Sequence, residues 1–259
     1  MEIVRRFAQA ILLCILAALP GCGSGSKPQT SGALSGNWQI SLVPQLNSSP
    51  LTYSGFLLQT GNSVNGALIL GDGCAGVGPV TGSVAGNNFE LDIDEFGQSL
   101  NLTGTLPSPN SGAFLGGQFS TLSGGCNAAQ TGTWSAFQVP PLTGPFHGTM
   151  VSSNGTVDVA GTFTQGSNTG ASSATLSASI ATTSVLPFCS YLTTGTITGV
   201  ISGTTASLFF YGPNGNQLNS LPDLGTVKRD GSSLTIAYGF AGISKSCAGD
   251  NGTMQLSFP

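Results

Sequence analysis

The chain has 259 residues, of which only 6% are charged, and six Lys/Arg against ten Asp/Glu leave a net charge of −4. So few cations exclude the basic surface that a phosphate backbone requires, and nucleic acid is set aside as a partner. Disorder is excluded too: 39% of the residues are apolar, and Val, Ile, Leu and Phe alternate with polar residues along most of the length.

Residues 1–21 carry the parts of an export signal. Arg5 and Arg6 form a basic start, Phe7 to Leu19 is an apolar run broken only by Gln9, and Pro20-Gly21 leads to Cys22. The run is too short for a membrane-spanning helix, which needs about 20 residues. Leu19-Pro20-Gly21-Cys22 resembles the lipobox of bacterial lipoproteins. That resemblance implies cleavage before Cys22, acylation of Cys22 and, because Gly23 is not aspartate, sorting to the outer membrane. The rest of 22–33 is Gly/Ser-rich, the composition of a flexible spacer.

Cys14 leaves with the signal, so Cys74, Cys126, Cys189 and Cys247 remain in an exported body. Four cysteines in that compartment suggest two disulfides, with three pairings open. An internal repeat narrows the choice. Leu34-Ser-Gly-Asn-Trp38 returns as Leu142-Thr-Gly-Pro-Phe146. Gly78-Pro-Val-Thr-Gly82 after Cys74 returns as Gly195-Thr-Ile-Thr-Gly199 after Cys189, and Gly132-Thr-Trp134 after Cys126 as Gly252-Thr-Met254 after Cys247. Each copy holds two cysteines, which predicts Cys74–Cys126 and Cys189–Cys247. Each bridge would close a loop of more than 50 residues, worth about 4 kcal/mol in chain entropy. Prolines 140 and 141 mark the boundary between domains at 34–139 and 142–259.

The hydrophobic period is two throughout the body. It predicts strands near 37–43, 52–60, 63–70, 78–85, 88–94, 99–106, 112–120 and 131–138. A second set follows near 146–152, 156–164, 173–180, 193–202, 205–211, 217–228 (broken at Pro222), 232–240 and 252–258. Turn signals separate them, among them Gly61-Asn62, Gly86-Asn87, Phe96-Gly97, Asn154-Gly155, Asn214-Gly215 and Asp230-Gly231. The expectation is an all-β chain: two tandem antiparallel meanders of about eight strands each. Glycines inside strands favour small barrels, with two-sheet sandwiches as the alternative. Gly36-Asn-Trp38 resembles the GxW start of lipocalin- and avidin-type barrels, which implies the same architecture. In a sequential meander, the cysteine-bearing connections of each copy fall at the end opposite the first strand's entrance.

Residues able to carry chemistry are few. His147 is the only histidine, and no CxxC occurs, which argues against a structural zinc site. No GxSxG elbow accompanies His147, which reads as a surface or partly buried histidine. Glu90, Asp92 and Asp94 form an acidic stripe on one strand face, spaced about 7 Å apart, and Glu95 extends it at the turn. They read first as a solvated face, and second as hard oxygen ligands for calcium. Consecutive Phe209-Phe210-Tyr211 must point to both faces of a strand, which exposes at least one ring, as a ligand platform or as part of the contact between the copies. Lys228-Arg229-Asp230-Gly231 reads as a charged hairpin turn.

These residues imply no cofactor and no catalytic constellation. The leading expectation is a lipid-anchored envelope protein acting as a non-enzymatic binding or structural module, with envelope proteins or glycans as partners. A carrier of a small apolar ligand inside a barrel, and a hydrolase using the acidic strand 90–95, are the alternatives.

Overall fold

The computed structural model describes residues 32–45, 49–71, 76–106, 114–121, 129–182, 194–240 and 249–259. The signal, Cys22, the spacer up to residue 31 and all four body cysteines lie outside the described residues.

Sixteen strands follow one another in chain order. The first eight are β1 (Gly36–Pro44), β2 (Leu51–Thr60), β3 (Ser63–Leu70), β4 (Gly76–Ala85), β5 (Asn88–Asp94), β6 (Ser99–Thr105), β7 (Phe114–Thr121) and β8 (Thr131–Val139). Each pairs antiparallel with the next, and β8 returns to pair with β1 from Asn37↔Val139 to Pro44↔Gly132, which closes a barrel. The second eight are β9 (Gly144–Ser152), β10 (Gly155–Gln165), β11 (Ala174–Thr182), β12 (Thr194–Ser202), β13 (Thr205–Tyr211), β14 (Asp223–Val227), β15 (Ser233–Phe240) and β16 (Asp250–Ser257). Pairing of β16 with β9 closes the second barrel. The fold is therefore two tandem eight-stranded barrels, and not a pair of sandwiches. Both belong to one compact unit, Ser31–Pro259.

Period-two patterning explains the barrels directly. On β5, Phe89, Leu91 and Ile93 are buried while Asn88, Glu90, Asp92 and Asp94 are exposed. Eight strands enclose a space that side chains can fill. In the first barrel Trp38, Tyr53, Leu68, Leu91 and Leu102 fill it, each no more than 1% exposed. Glycine gives the rings room where strands curve. A Cβ on Gly104 would lie 2.8 Å from the Phe89 ring and 3.1 Å from Trp134. Those two rings meet edge-to-face, 5.8 Å apart. Trp134 Nε1 donates to the Thr103 carbonyl and Trp38 Nε1 to that of Leu34, so neither buried indole nitrogen lacks an acceptor. In the second barrel Phe146, Phe163 and Phe258 cluster, and Phe210 packs edge-to-face on Phe240.

The strand expected over 217–228 is shorter than its period suggests. β13 and β14 pair over only four rows, Thr205↔Thr226 to Leu208↔Asp223. Pro222 cannot donate to a ladder, and the chain before it turns away. Buried Asn219 takes the missing strand's place. Its Oδ1 accepts from Phe210 N, and its Nδ2 donates to the Leu208 carbonyl. A smaller shift occurs at Asn154-Gly155, where Ser153-Asn154 forms the turn and Gly155 already pairs with Ser152.

Each barrel has a near end, where its first strand begins, and a far end. Leu70, Gly76, Thr121 and Thr131, which flank the connections carrying Cys74 and Cys126, belong to far-end strand termini. Thr182, Thr194, Phe240 and Asp250 do the same around Cys189 and Cys247.

Near-end turns of the second barrel meet the outer wall of β8, β1 and β2. Asn37, outward on β1, accepts from Gly203 N through Oδ1 (2.7 Å) and donates to the Gly203 carbonyl through Nδ2 (2.9 Å). Gln39 Oε1 accepts from both Thr204 N and Thr204 Oγ1. Ser202 Oγ donates to the Ser172 carbonyl, so the Ser54 hydroxyl is the donor in the Ser54–Ser202 pair. Asn168 Nδ2 donates to the Leu57 carbonyl. Phe56, also outward on β2, is only 3% exposed because it joins the apolar cluster of the second barrel with Val139 and Leu142. The guanidinium of Arg229 lies 4.6 Å over the Phe137 ring.

Gly203 sits at φ +54°, and an added Cβ would overlap Gln39 Oε1 and Ser54 Cβ. Gly203→Ala should therefore loosen the junction while both barrels keep their strands. A loss of about 1–3 kcal/mol in urea unfolding, with unchanged far-ultraviolet circular dichroism, is the expected outcome.

Candidate functional site: the acidic wall of the first barrel

Outward positions on β5 place Glu90, Asp92 and Asp94 in a single exposed column. The register sets Asp92 beside Thr81 of β4 and Asn101 of β6, and Glu90 beside Ser83 and Thr103. One amide serves two carboxylates: Asn101 Nδ2 donates to Glu90 Oε1 at 2.6 Å and to Asp92 Oδ1 at 3.0 Å. Asp94 Oδ1 accepts from Gly97 N at 2.8 Å and so braces the following turn. Among the described residues no group of three or more His, Cys, Asp or Glu is placed to hold a metal ion. The three carboxylates point outward along one strand instead of converging on a point. Pro79, Thr81, Asp92, Asp94, Gly97, Gln98 and Ser99 border a shallow groove of about 460 Å³ on this wall.

Glu95-Phe96-Gly97-Gln98 closes β5 onto β6 as a two-residue hairpin. Backbone hydrogen bonds join Glu95 and Gln98 in both directions. Phe96 and Gly97 both have positive φ, +57° and +90°, the signature of a type I′ turn. Glycine suits that geometry, but an aromatic residue is costly there. The turn is held from below. Glu95 is fully buried, and the Tyr53 hydroxyl donates to its Oε1 at 2.6 Å. Phe96 itself stands 61% exposed. Glu95 belongs to the sequence's acidic run, yet the fold sends it inward, away from Glu90, Asp92 and Asp94. Tyr53→Phe should cost about 1–3 kcal/mol by removing a donor from a buried carboxyl group, measured as a drop in the urea midpoint with an unchanged slope.

The second barrel has no matching stripe. Its buried acid is Asp250, which accepts from the Tyr238 hydroxyl (3.0 Å) and from Asn154 Nδ2 (3.1 Å). Burial first, then the bond to and charge of Asp250, push the Tyr238 phenol well above its ordinary range. Half-buried Asp223 begins β14. Burial raises its carboxyl to about 6, against the lowering effect of hydrogen bonds from Gly239 N and Asn219. A carboxyl whose folded value lies above its unfolded one, about 3.9, adds stability when protonated. That contribution is complete below pH about 4 and disappears as pH rises through about 6. Solvent on the exposed half screens it to about 1–2 kcal/mol. Urea unfolding at pH 4.5 and 7.5 should show this loss in the native chain and not in Asp223→Asn.

The remaining sequence candidates scatter. His147 is exposed on β9, between Ala160 of β10 and Ser257 of β16. Phe210 points inward and is fully buried, while Phe209 and Tyr211 are half-buried on the outer wall of β13. Lys228 and Asp230 form an ion pair at 2.9 Å in the β14–β15 hairpin, and bonds from Ser232 and Lys228 hold the Asp230 carboxyl far below the usual carboxylate range. Sequence reasoning missed that Arg229, in the same hairpin, reaches across to Phe137. It also missed the junction wall. The available signal was a break in period two: Phe56-Leu57-Leu58 puts apolar side chains on both faces of β2, so one face needs a cover. Cys22 and the pairs Cys74–Cys126 and Cys189–Cys247 lie outside the described residues.

Compared with known protein families, curated proteins and solved structures, the chain matches none.

Proposed function

We propose that this chain is an exported envelope protein, anchored through a lipid on Cys22, whose paired barrels serve as a non-enzymatic binding or structural module. The observation that carries this reading is the junction. Two barrels filled by their own side chains are joined through directed hydrogen bonds at Asn37, Gln39, Ser54 and Asn168. A fixed relative placement of two walls suits presentation of a surface. The filled interiors favour this reading over a carrier, which needs room between its walls. The anchor rests on the lipobox-like residues 19–22 and on the spacer behind them.

Metabolic labelling with a palmitate analogue, followed by membrane fractionation, tests the anchor. Cys22→Ser should lose the label and leave the membrane fraction. Retention of both would sink the anchored reading. The binding role is tested by incubating the purified chain with cell-wall glycans and with envelope extract. Native mass spectrometry that finds a stoichiometric lipid inside the chain would replace this reading with the carrier.

A further inference from the structure

The sequence between residues 34 and 139 contains no Lys, Arg or His, but has Asp72, Glu90, Asp92, Asp94 and Glu95. On the outer wall, then, the β5 column has no cation of its own barrel to neutralise it. Beside that column, at the far end, the wall turns apolar. Ile69 of β3 pairs directly with Val77 of β4, and both side chains are outward, 40% and 50% exposed. Ala67 and Pro79 make the next outward pair, one step nearer the middle of the wall. The β5–β6 turn brings Phe96 to the same end.

We infer that this corner of the first barrel docks a basic polypeptide segment of a partner protein, with an apolar side chain of that segment seated among Ile69, Val77 and Phe96. The inference rests on the binding-module reading above and names its surface. Charge complementarity selects the occupant. A column of outward carboxylates in a barrel that has no Lys, Arg or His of its own attracts Lys and Arg and repels acidic chains. The groove between Pro79 and Asp94 has room for an extended segment. Alternate side chains of such a segment lie about 7 Å apart, close to the spacing of the carboxylates along β5. Phe96 provides the apolar anchor. It is a large aromatic side chain held exposed, at a backbone conformation that glycine would adopt without strain.

The strain makes the test clean. Phe96→Gly removes the ring and suits the turn, so the variant should melt no lower than the native chain. Asp92→Asn with Asp94→Asn removes two charges and leaves the wall's shape. The probes are fluorescent peptides of about ten residues, one alternating Lys with Leu and one alternating Glu with Leu. Each is titrated by anisotropy against the full chain and both variants in the same detergent. The Lys/Leu peptide should bind, and the Glu/Leu peptide should not. Raising salt from 50 to 150 mM should weaken binding about threefold or more, and each variant should weaken it about fivefold or more. Equal binding of both peptides, or unchanged binding to the variants, overturns the inference. So does a failure of the Lys/Leu peptide to bind while calcium alone raises the melting temperature of the native chain but not of the Asn variant, which would make the column a cation site. Loss of peptide binding with glycan or envelope-protein capture retained would remove this surface and leave the binding-module reading standing.

Discussion

Closure of an eight-stranded sheet on itself is the constraint from which the rest of this molecule follows. A sheet of alternating apolar and polar residues has one face to bury and two edges to satisfy. Pairing of β8 with β1, and of β16 with β9, removes both edges and turns the apolar face into an interior. The curvature needed is strong, and it is met by glycines where a Cβ would strike a neighbouring carbonyl, as Gly82 would strike that of Glu90 and Gly199 that of Ser207. Where closure is least complete, beside the short β14, a buried Asn219 side chain stands in for the missing strand. The same seam holds Asp223, whose carboxyl is raised because the wall half-buries it, against the lowering effect of hydrogen bonds from Gly239 N and Asn219.

Closure also leaves each barrel complete in itself, so the contact between the two has to be made by outer walls. Outer walls here are polar by construction, and the junction is correspondingly built from hydrogen bonds. The two-way bond between the Asn37 amide and the backbone of Gly203 copies the pairing of two strands with a side chain. Such contacts are directional, and they fix orientation more strongly than an apolar patch of the same size. Phe56 and Val139 add a small apolar centre, and Arg229 on Phe137 covers its margin.

On the opposite side of the first barrel, no other wall covers the acidic column among the described residues. Its carboxylates are held in place by neutral donors, Asn101 and the backbone of Gly97, which orient them without neutralising them. Beneath, Tyr53 and buried Glu95 hold the turn that lifts Phe96. A charged column and an exposed ring are thus fixed in register by the barrel's own ladder. That arrangement costs local backbone strain, and the proposed role as a docking corner gives that strain a use.

The all-β class, the number of strands and most of their limits were legible in the residues alone, because period-two alternation and turn dipeptides are local signals. β3, β5 and β13 begin and end where alternation predicts. The duplication was legible for the same reason, as was the outward direction of Glu90, Asp92 and Asp94, since residues two apart share a face. Closure was a preference in the sequence, and the tertiary structure decided it: whether the eighth strand meets the first depends on accumulated twist, which no single segment carries. Tertiary structure alone also turned Glu95 inward onto Tyr53, replaced part of a strand with Asn219, and brought Asn37 to Gly203, 166 residues away. Alternation says which side chains leave the core; only the packed chain decides which of them then meet another wall and which remain in water.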